Sequence, residues 1–343
     1  MELTTVWFVL IAFFWIGYFA LEGFDFGVGM LLPVLARDDT ERRVMINTIG
    51  PVWDGNEVWV LVAGGATFAA FPEWYATLFS GFYLPLLLIL VGLIVRGLAF
   101  EYRHKRQEAG WQAGWDRAII FGSAIPAFLW GVAFANIVRG VPIDADFEFT
   151  GTMLTLLNPY GLLGGVVTTT LFLTHGAVFI ALKTDGEIRH RARALAVRLG
   201  AVTAVVAVVF LVWTQTITGT TSSAVAFVVA ALSLVAGLFA VRKGREGWAF
   251  TGTFVAIAVA VAGLFLALFP DVMPSSTDAA NSLTAVNAAS SAYTLKVMTW
   301  ASLAVMPFVI GYQAWSYWVF RKRISTAHIP AAHPETAPEP STS

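Results

Sequence analysis

Nine long apolar segments constrain the fold of this chain more than any other feature of its sequence. About 20 helical residues rise roughly 30 Å, which is the thickness of the hydrocarbon core of a bilayer. None of the segments shows the ten-residue alternation of membrane β-strands, so we predict nine transmembrane helices and an all-α polytopic fold. The predicted spans are residues 6–32, 52–71, 75–100, 119–138, 160–182, 195–213, 222–241, 248–269 and 295–319.

Composition supports a membrane protein and excludes several kinds of function. Hydrophobic residues make up 57% of the 343 residues and charged residues 13%, against about 25% charged in soluble domains. The net charge of -1 provides no basic excess for a nucleic-acid partner. The chain has no Cys, which excludes disulfides, thiolate catalysis and Cys-based metal clusters. Its first residues lack the features of a cleaved signal peptide, so we expect the first apolar run to be a retained span.

The distribution of Lys and Arg predicts the orientation of the spans. All of the 21 Lys and Arg residues except Arg139 and Lys296 fall on one side when the loops are assigned alternately. Because basic loops stay in the cytoplasm, we predict an outside amino terminus and a cytoplasmic carboxyl terminus. We expect one transmembrane domain over residues 1–323. Residues 324–343, rich in Pro, Ala, Thr and Glu, are predicted to be a disordered cytoplasmic tail.

A weak internal repeat suggests how the helices are grouped. Glu22-Gly23 precedes an Asp-Thr-Glu-Arg-Arg loop at 39–43, and His175-Gly176 precedes an Asp-Gly-Glu-Ile-Arg loop at 185–189. A duplication of this kind predicts two four-helix bundles plus one extra helix.

Carboxylates at membrane depth are the first candidates for function, because charged groups are costly there. Glu22 and Asp25 lie three residues apart and therefore share a face of the first span. Gly23 and Gly27 have the spacing that allows another helix to approach closely. The apolar part of the second span is too short to cross the bilayer, so we expect Asp54 and Glu57 to be drawn into its cytoplasmic first turns.

Each acid has a structural and a functional interpretation. The structural interpretation of Asp54 and Glu57 is a capping box, because they have its spacing. Glu22 and Asp25 lie in mid-helix, where capping is not possible. Their structural interpretation is an ion pair with Arg96 or with a cation of a partner subunit. The functional alternative for all four acids is a relay that moves protons inward from the cytoplasm.

Two basic side chains complete the set. Arg96, near the cytoplasmic end of the third span, is expected to extend to the interface or to contact a carboxylate, a lipid headgroup or a quinone. His175 is the only histidine inside a span, so a haem held by two histidines is excluded and a structural hydrogen bond is the favoured role. No metal-binding cluster is visible.

These residues leave two classes of function open. The first is a proton-conducting or scaffolding subunit of a larger redox complex, and the second is a transporter driven by protons. A transporter is expected to have helix breaks at matching positions of its two halves. Pro85 and Pro126 are not placed symmetrically, which favours the first class.

Several ordered motifs closely resemble subunit II of the cytochrome bd-type quinol oxidases, and the similarity runs nearly end to end. The motifs are EGFDFGVGML at 22–31, DTERR at 39–43, MIN at 45–47, PVWDGNEVW at 51–59, AGGATFAA at 63–70, FSGFY at 79–83, LNP at 157–159, VMPSST at 272–277 and TLKVMTW at 294–300.

The resemblance implies a haem-free subunit in a bacterial plasma membrane. Its implied partner is a homologous subunit I, which carries haems b and d and the quinol site. Whether a small single-helix accessory subunit is also present is left open. Such a complex oxidises quinol, reduces dioxygen to water and takes up cytoplasmic protons. The resemblance links Asp25 and Asp54 to proton supply and places Arg96 at the family's arginine position. Some members of the family have an aspartate at the position of Glu22 and a glutamine at the positions of Glu57 and His175. Some also have a longer loop at the position of 214–221. Because Glu57 adds an acid that those members lack, its role stays open.

Overall fold

Twelve α-helices make up most of residues 2–329, which are the residues that the computed structural model describes. The helices are α1 (Leu3–Leu35), α2 (Asp39–Ile49), α3 (Trp53–Ala70), α4 (Pro72–Gly81), α5 (Tyr83–Tyr102), α6 (Ala109–Arg139), α7 (Met153–Leu156), α8 (Pro159–Lys183), α9 (Glu187–Thr218), α10 (Thr221–Arg242), α11 (Glu246–Leu268) and α12 (Ala292–Val319).

Eight of the helices within residues 2–329 are long and apolar enough to cross a membrane. They correspond to eight of the nine predicted spans. The remaining predicted span, 52–71, is α3, whose 18 residues rise about 27 Å. Its first turns carry Asp54, Asn56 and Glu57, which make these 18 residues less apolar than the spanning stretches of the other eight helices.

The predicted span 75–100 is two helices and not one. α4 ends at Gly81, and α5 begins at Tyr83 after a break at Phe82. Pro85 explains this break, because proline has no backbone N–H to donate to the carbonyl of Gly81 one turn earlier. The prediction of an uninterrupted helix from residue 75 was therefore wrong.

The two predicted bundles are present. α1, α3, α5 and α6 form the first bundle, α8, α9, α10 and α11 form the second, and α12 is the extra helix, which contacts α1 and α3. α1 lies at the centre of the molecule and packs against α8 of the second bundle. Gly27 and Gly176 allow this approach, because a Cβ added to Gly176 would lie 2.6 Å from the Cα of Gly27. The close contact predicted from the glycine spacing in α1 is thus confirmed.

The connections outside the spans are also structured. α2 begins after Asp38, whose side chain accepts a hydrogen bond from the Glu41 backbone N–H. Two short antiparallel strands, β1 (Asp271–Met273) and β2 (Leu283–Thr284), lie in the loop before α12.

Part of the predicted disordered tail falls within the described residues. Ile324 pairs with Thr184 in an isolated β-bridge, and Thr326–His328 form a 3-10 turn. The rest of the predicted tail, 330–343, lies outside the described residues.

Candidate functional site

A buried arginine lies at the centre of the candidate site. Arg96, on α5, is 0% exposed, and its Nη2 donates both to Glu22 on α1 and to Glu57 Oε2 on α3, the latter at 3.1 Å. The guanidinium carbon also lies 4.6 Å from the centre of the Phe26 ring. Arg96 thus points inward. The prediction that its side chain extends to the membrane interface was wrong, and the predicted contact with a carboxylate is confirmed.

A hydrogen-bonded network surrounds the second buried acid. Asn56 Nδ2 donates to Asp25 Oδ2 at 2.7 Å. The Asn56 side-chain oxygen accepts from Gln313 Nε2 and from the Tyr317 hydroxyl, both at 2.8 Å. The network therefore joins α1, α3 and α12, and Asn56 fixes the orientation of the Asp25 carboxyl group.

Helix geometry explains why these side chains meet. Glu22 and Asp25 are almost one turn apart on α1 and project from the same face. Asn56 and Glu57 are successive residues of α3 and point in directions about 100° apart, so Asn56 reaches Asp25 whereas Glu57 reaches Arg96. A single turn of α3 thus contacts both acids of α1, one directly and one through Arg96.

Asp54 and Glu57 open onto a groove between α3 and α5. The groove has a volume of about 770 Å³, and its other lining residues are mostly aliphatic and aromatic. Asp54 is exposed and Glu57 is partly buried. The capping-box interpretation was wrong, since α3 begins at Trp53 and its N-cap, Val52, makes no side-chain capping bond.

Several buried polar atoms of the site have no hydrogen-bond partner among the described residues. They are Glu22 Oε2, Asp25 Oδ1, Arg96 Nε and Nη1, and Ser123 Oγ. Ser123, on α6, is 0% exposed. Each of the two buried acids thus has one carboxyl oxygen that is not hydrogen-bonded within the described residues.

His175 takes part in the packing between the two bundles. Its Nδ1 lies 2.7 Å from Thr253 Oγ1, and its Nε2 lies 3.1 Å from the backbone oxygen of Ala20. The structural hydrogen bond predicted for His175 is confirmed. Both ring nitrogens of His175 are thus engaged by other groups of the chain.

The structure brings together Glu22, Asp25, Glu57 and Arg96, and leaves Asp54 at the mouth of the groove. Sequence reasoning did not assign a role to Asn56, Gln313, Tyr317 or Ser123. Asn56 lies in the PVWDGNEVW motif, which was a signal that could have been used. Gln313 and Tyr317 are single uncharged polar residues in an apolar helix, and their contacts with Asn56 appear only when the helices are packed.

Fold and site together define a multi-pass helical membrane protein with an ionisable cluster buried between its helices. The family model for cytochrome bd terminal oxidase subunit II matches residues 3–320, and the chain belongs to this family. It is therefore a subunit of an oxidoreductase complex and a multi-pass protein of the bacterial plasma membrane.

Individual relatives agree with the family match. The chain is 46% identical over 329 residues to cytochrome bd ubiquinol oxidase subunit 2 of Bacillus subtilis strain 168, covering 94% of this chain and 97% of the relative. It is 38% identical over 362 residues to cytochrome bd-I ubiquinol oxidase subunit 2 of Escherichia coli strain K12, covering 94% and 96%. A chain of the bd oxidase structure from Geobacillus thermodenitrificans shares the fold, with a TM-score of 0.77, 18% identity, and coverage of 93% of this chain and 99% of that chain.

Proposed function

We propose that this chain is the haem-free subunit II of a quinol oxidase and that it supplies protons to a haem-bearing subunit I. The complex would oxidise quinol and reduce dioxygen to water, with haems b and d held by the partner. The observation that carries the proposal is the buried cluster of Glu22, Asp25, Glu57 and Arg96, connected to an open groove that carries Asp54.

The exposed face of α3, α5 and α12 supports a partner on this side. Leu295 is the one buried residue of α12, so almost the whole apolar surface of this helix is uncovered by the rest of the chain. Asp54 and Glu57 line the groove between α3 and α5. Carboxyl groups are costly against lipid, whereas a partner subunit with polar groups or bound water would solvate them. We therefore assign this face to subunit I.

The charges of the cluster suit proton transfer. One guanidinium, that of Arg96, faces three carboxyl groups, those of Glu22, Asp25 and Glu57. The cluster is neutral only when two of these groups carry a proton, so release of a proton to the partner leaves a buried negative charge that favours uptake of the next proton. Asp54, at the groove mouth, would receive protons from the predicted cytoplasmic side, and Asp25 would pass them on.

The functional test compares carboxamide variants in the assembled complex. We expect Asp54→Asn to lower quinol-driven oxygen consumption, and Asp25→Asn to lower it more, because fewer alternative carriers exist at the buried position. Asp146→Asn, on an exposed outer loop, is the matched control and is expected to retain full activity. Each purified complex is first compared with the wild type by its haem absorption spectrum. Full activity of both Asp25→Asn and Asp54→Asn, at normal haem content, would refute the proton-supply role.

The partner proposal has a separate test. The chain is purified from its own membrane without harsh detergent, and an absorption spectrum is recorded. Co-purifying haem supports assembly with subunit I. A haem-free homo-oligomer would argue for the transporter class instead.

A further inference from the structure

We propose that the hairpin between α10 and α11 binds an anionic phospholipid at a groove formed by Lys243, Arg245, Trp248 and Phe239. The groove also includes Ala240 and has a volume of about 460 Å³. It combines two cations with aromatic walls, which is the combination that a phosphodiester headgroup with an attached acyl chain requires.

The position of the groove places it at headgroup depth. α10 ends at Arg242 and α11 begins at Glu246, and both helices are long and apolar enough to cross the membrane. The short turn between them must lie where the bilayer core meets water. Phospholipid phosphates are the most concentrated anions at that depth.

The two cations of the groove are not neutralised by the protein. Glu246 is the nearest acid in sequence, but its carboxylate is buried and accepts from Arg189 at 2.9 and 3.1 Å. Arg193 and Arg323 also lie within 3.6 Å of that carboxylate. Neither Lys243 nor Arg245 has an ion-pair partner among the described residues. Three arginines thus meet the carboxylates of Glu246 and Asp185, the latter 3.8 Å from Arg189, so this cluster leaves one positive charge in excess and no acid free for the groove.

The aromatic walls complete the chemistry of a lipid site. Trp248 is 70% exposed and Phe239 is 62% exposed. Lys243 Nζ lies 5.5 Å from the centre of the Phe239 ring, so its charge is held beside the apolar wall. Tryptophan prefers the membrane–water interface, where its ring packs against the upper acyl chain. The groove therefore has adjacent binding positions for the phosphate and for an acyl chain of the phospholipid.

The test measures lipid binding to the delipidated, purified oxidase complex. Phosphatidylglycerol is titrated into the complex in detergent, and bound lipid is counted by native mass spectrometry. We expect Lys243→Gln and Arg245→Gln each to weaken binding about fivefold, and the double variant about 25-fold, on the scale at which a juxtamembrane cation attracts an anionic membrane. Arg242→Gln removes the same charge from the same hairpin but lies outside the groove, so it should change binding less than twofold. The haem spectrum of each complex verifies assembly, and the single variants serve if the double variant fails to assemble.

Two competitors identify the source of the bound anion. Inorganic phosphate and phosphatidylcholine are added separately to the phosphatidylglycerol complex. We expect neither to displace the lipid at equal concentration, because the first lacks an acyl chain and the second has no net charge. Equal binding by the wild type and the Lys243→Gln and Arg245→Gln variants would overturn the proposal. An equal loss of lipid binding in Arg242→Gln would also overturn the proposal, since it would show an effect of overall charge and not of the groove. Displacement of the lipid by inorganic phosphate would overturn it as well, because the groove would then bind anions without selecting a lipid.

Discussion

At the scale of single residues, the buried Arg96 determines how the acids are held. A buried ion pair contributes little net stability, but removal of one partner leaves the other charge without compensation. Arg96 lies between Glu22 and Glu57, so its loss exposes two acids to each other at once. Arg96 is thus required for an ionised cluster to exist in the interior of the bundle.

We predict that Arg96→Leu lowers the free energy of unfolding by about 3–5 kcal/mol, because an uncompensated buried charge remains. Arg96→Lys should recover part of the lost free energy of unfolding, since lysine keeps the positive charge but lacks the planar guanidinium group that donates to two carboxylates. Thermal unfolding of the purified complex measures both variants. Arg139→Leu, at the exposed end of α6, is the control and should shift the midpoint little. Equal midpoints for Arg96→Leu and Arg139→Leu would contradict this account.

The sequence identified the charged members of the site and missed its uncharged members, for a physical reason. Glu22, Asp25 and Arg96 stand out because ionisable groups are costly in lipid. Asn56 and Gln313 cost less at membrane depth and carry no periodic signal. Their roles depend on which helices become neighbours, and residue 313 is 257 positions from its partner, Asn56.

At the scale of helices, the contact between α1 and α8 depends on backbone proximity. We predict that Gly176→Ala destabilises the complex by about 1–3 kcal/mol, because the added methyl group would collide with the backbone of α1 at Gly27. Gly114→Ala is the matched control, since nothing lies within 4 Å of its Cβ position. The measurement is again the unfolding midpoint. Wild-type stability of Gly176→Ala would show that the two helices can move apart freely.

Glu41 links α2 to α9 and gives this contact a pH dependence. Its carboxylate accepts from Arg191 at 2.6 Å and from the Arg37 backbone N–H at 2.7 Å. Burial alone would raise the pKa of Glu41, but these hydrogen bonds outweigh burial and hold the pKa below its ordinary value of 4.5. The resulting stabilisation is complete above pH 4.5 and is lost as the pH falls through the lowered pKa of the folded state.

We therefore predict that Glu41→Gln lowers the unfolding midpoint at pH 7 and that the difference from the wild type shrinks below pH 4.5. The comparison uses thermal unfolding at a series of pH values. Glu108→Gln is the control, because the ion pair of Glu108 with Arg106 is exposed and 3.9 Å long. A difference that stays constant between pH 7 and pH 3.5 would show that folding does not lower the pKa of Glu41.

Helix positions were largely predictable, and the breaks between helices were not. Long apolar runs identify a span because the bilayer requires that length. The short helix α2 has no such requirement, and it forms where Asp38 caps the chain and Val44, Met45 and Ile49 are buried. The division between α4 and α5 depends on a backbone hydrogen bond that Pro85 cannot make, and an average over hydropathy does not register such a bond.

At the scale of the whole molecule, the predicted orientation sets the side from which the proposed proton supply would start. The chain has no Cys, so single cysteines can be introduced without background. We predict that Asp146→Cys reacts with a membrane-impermeant thiol reagent added outside intact cells, and that Lys105→Cys reacts only after the membrane is opened. Labelling is measured by mass shift of the purified chain. The reverse pattern would invert the orientation and place the groove acids towards the outside.

The most direct test of proton supply by this subunit is the rate of proton uptake after a pulse of oxygen. The fully reduced complex is mixed with oxygen in the presence of a pH-sensitive dye, and haem oxidation is followed in parallel. For Asp25→Asn at normal haem content, we predict uptake at least tenfold slower than in the wild type, while Asp146→Asn behaves as the wild type. Proton uptake at the wild-type rate in Asp25→Asn would contradict the account.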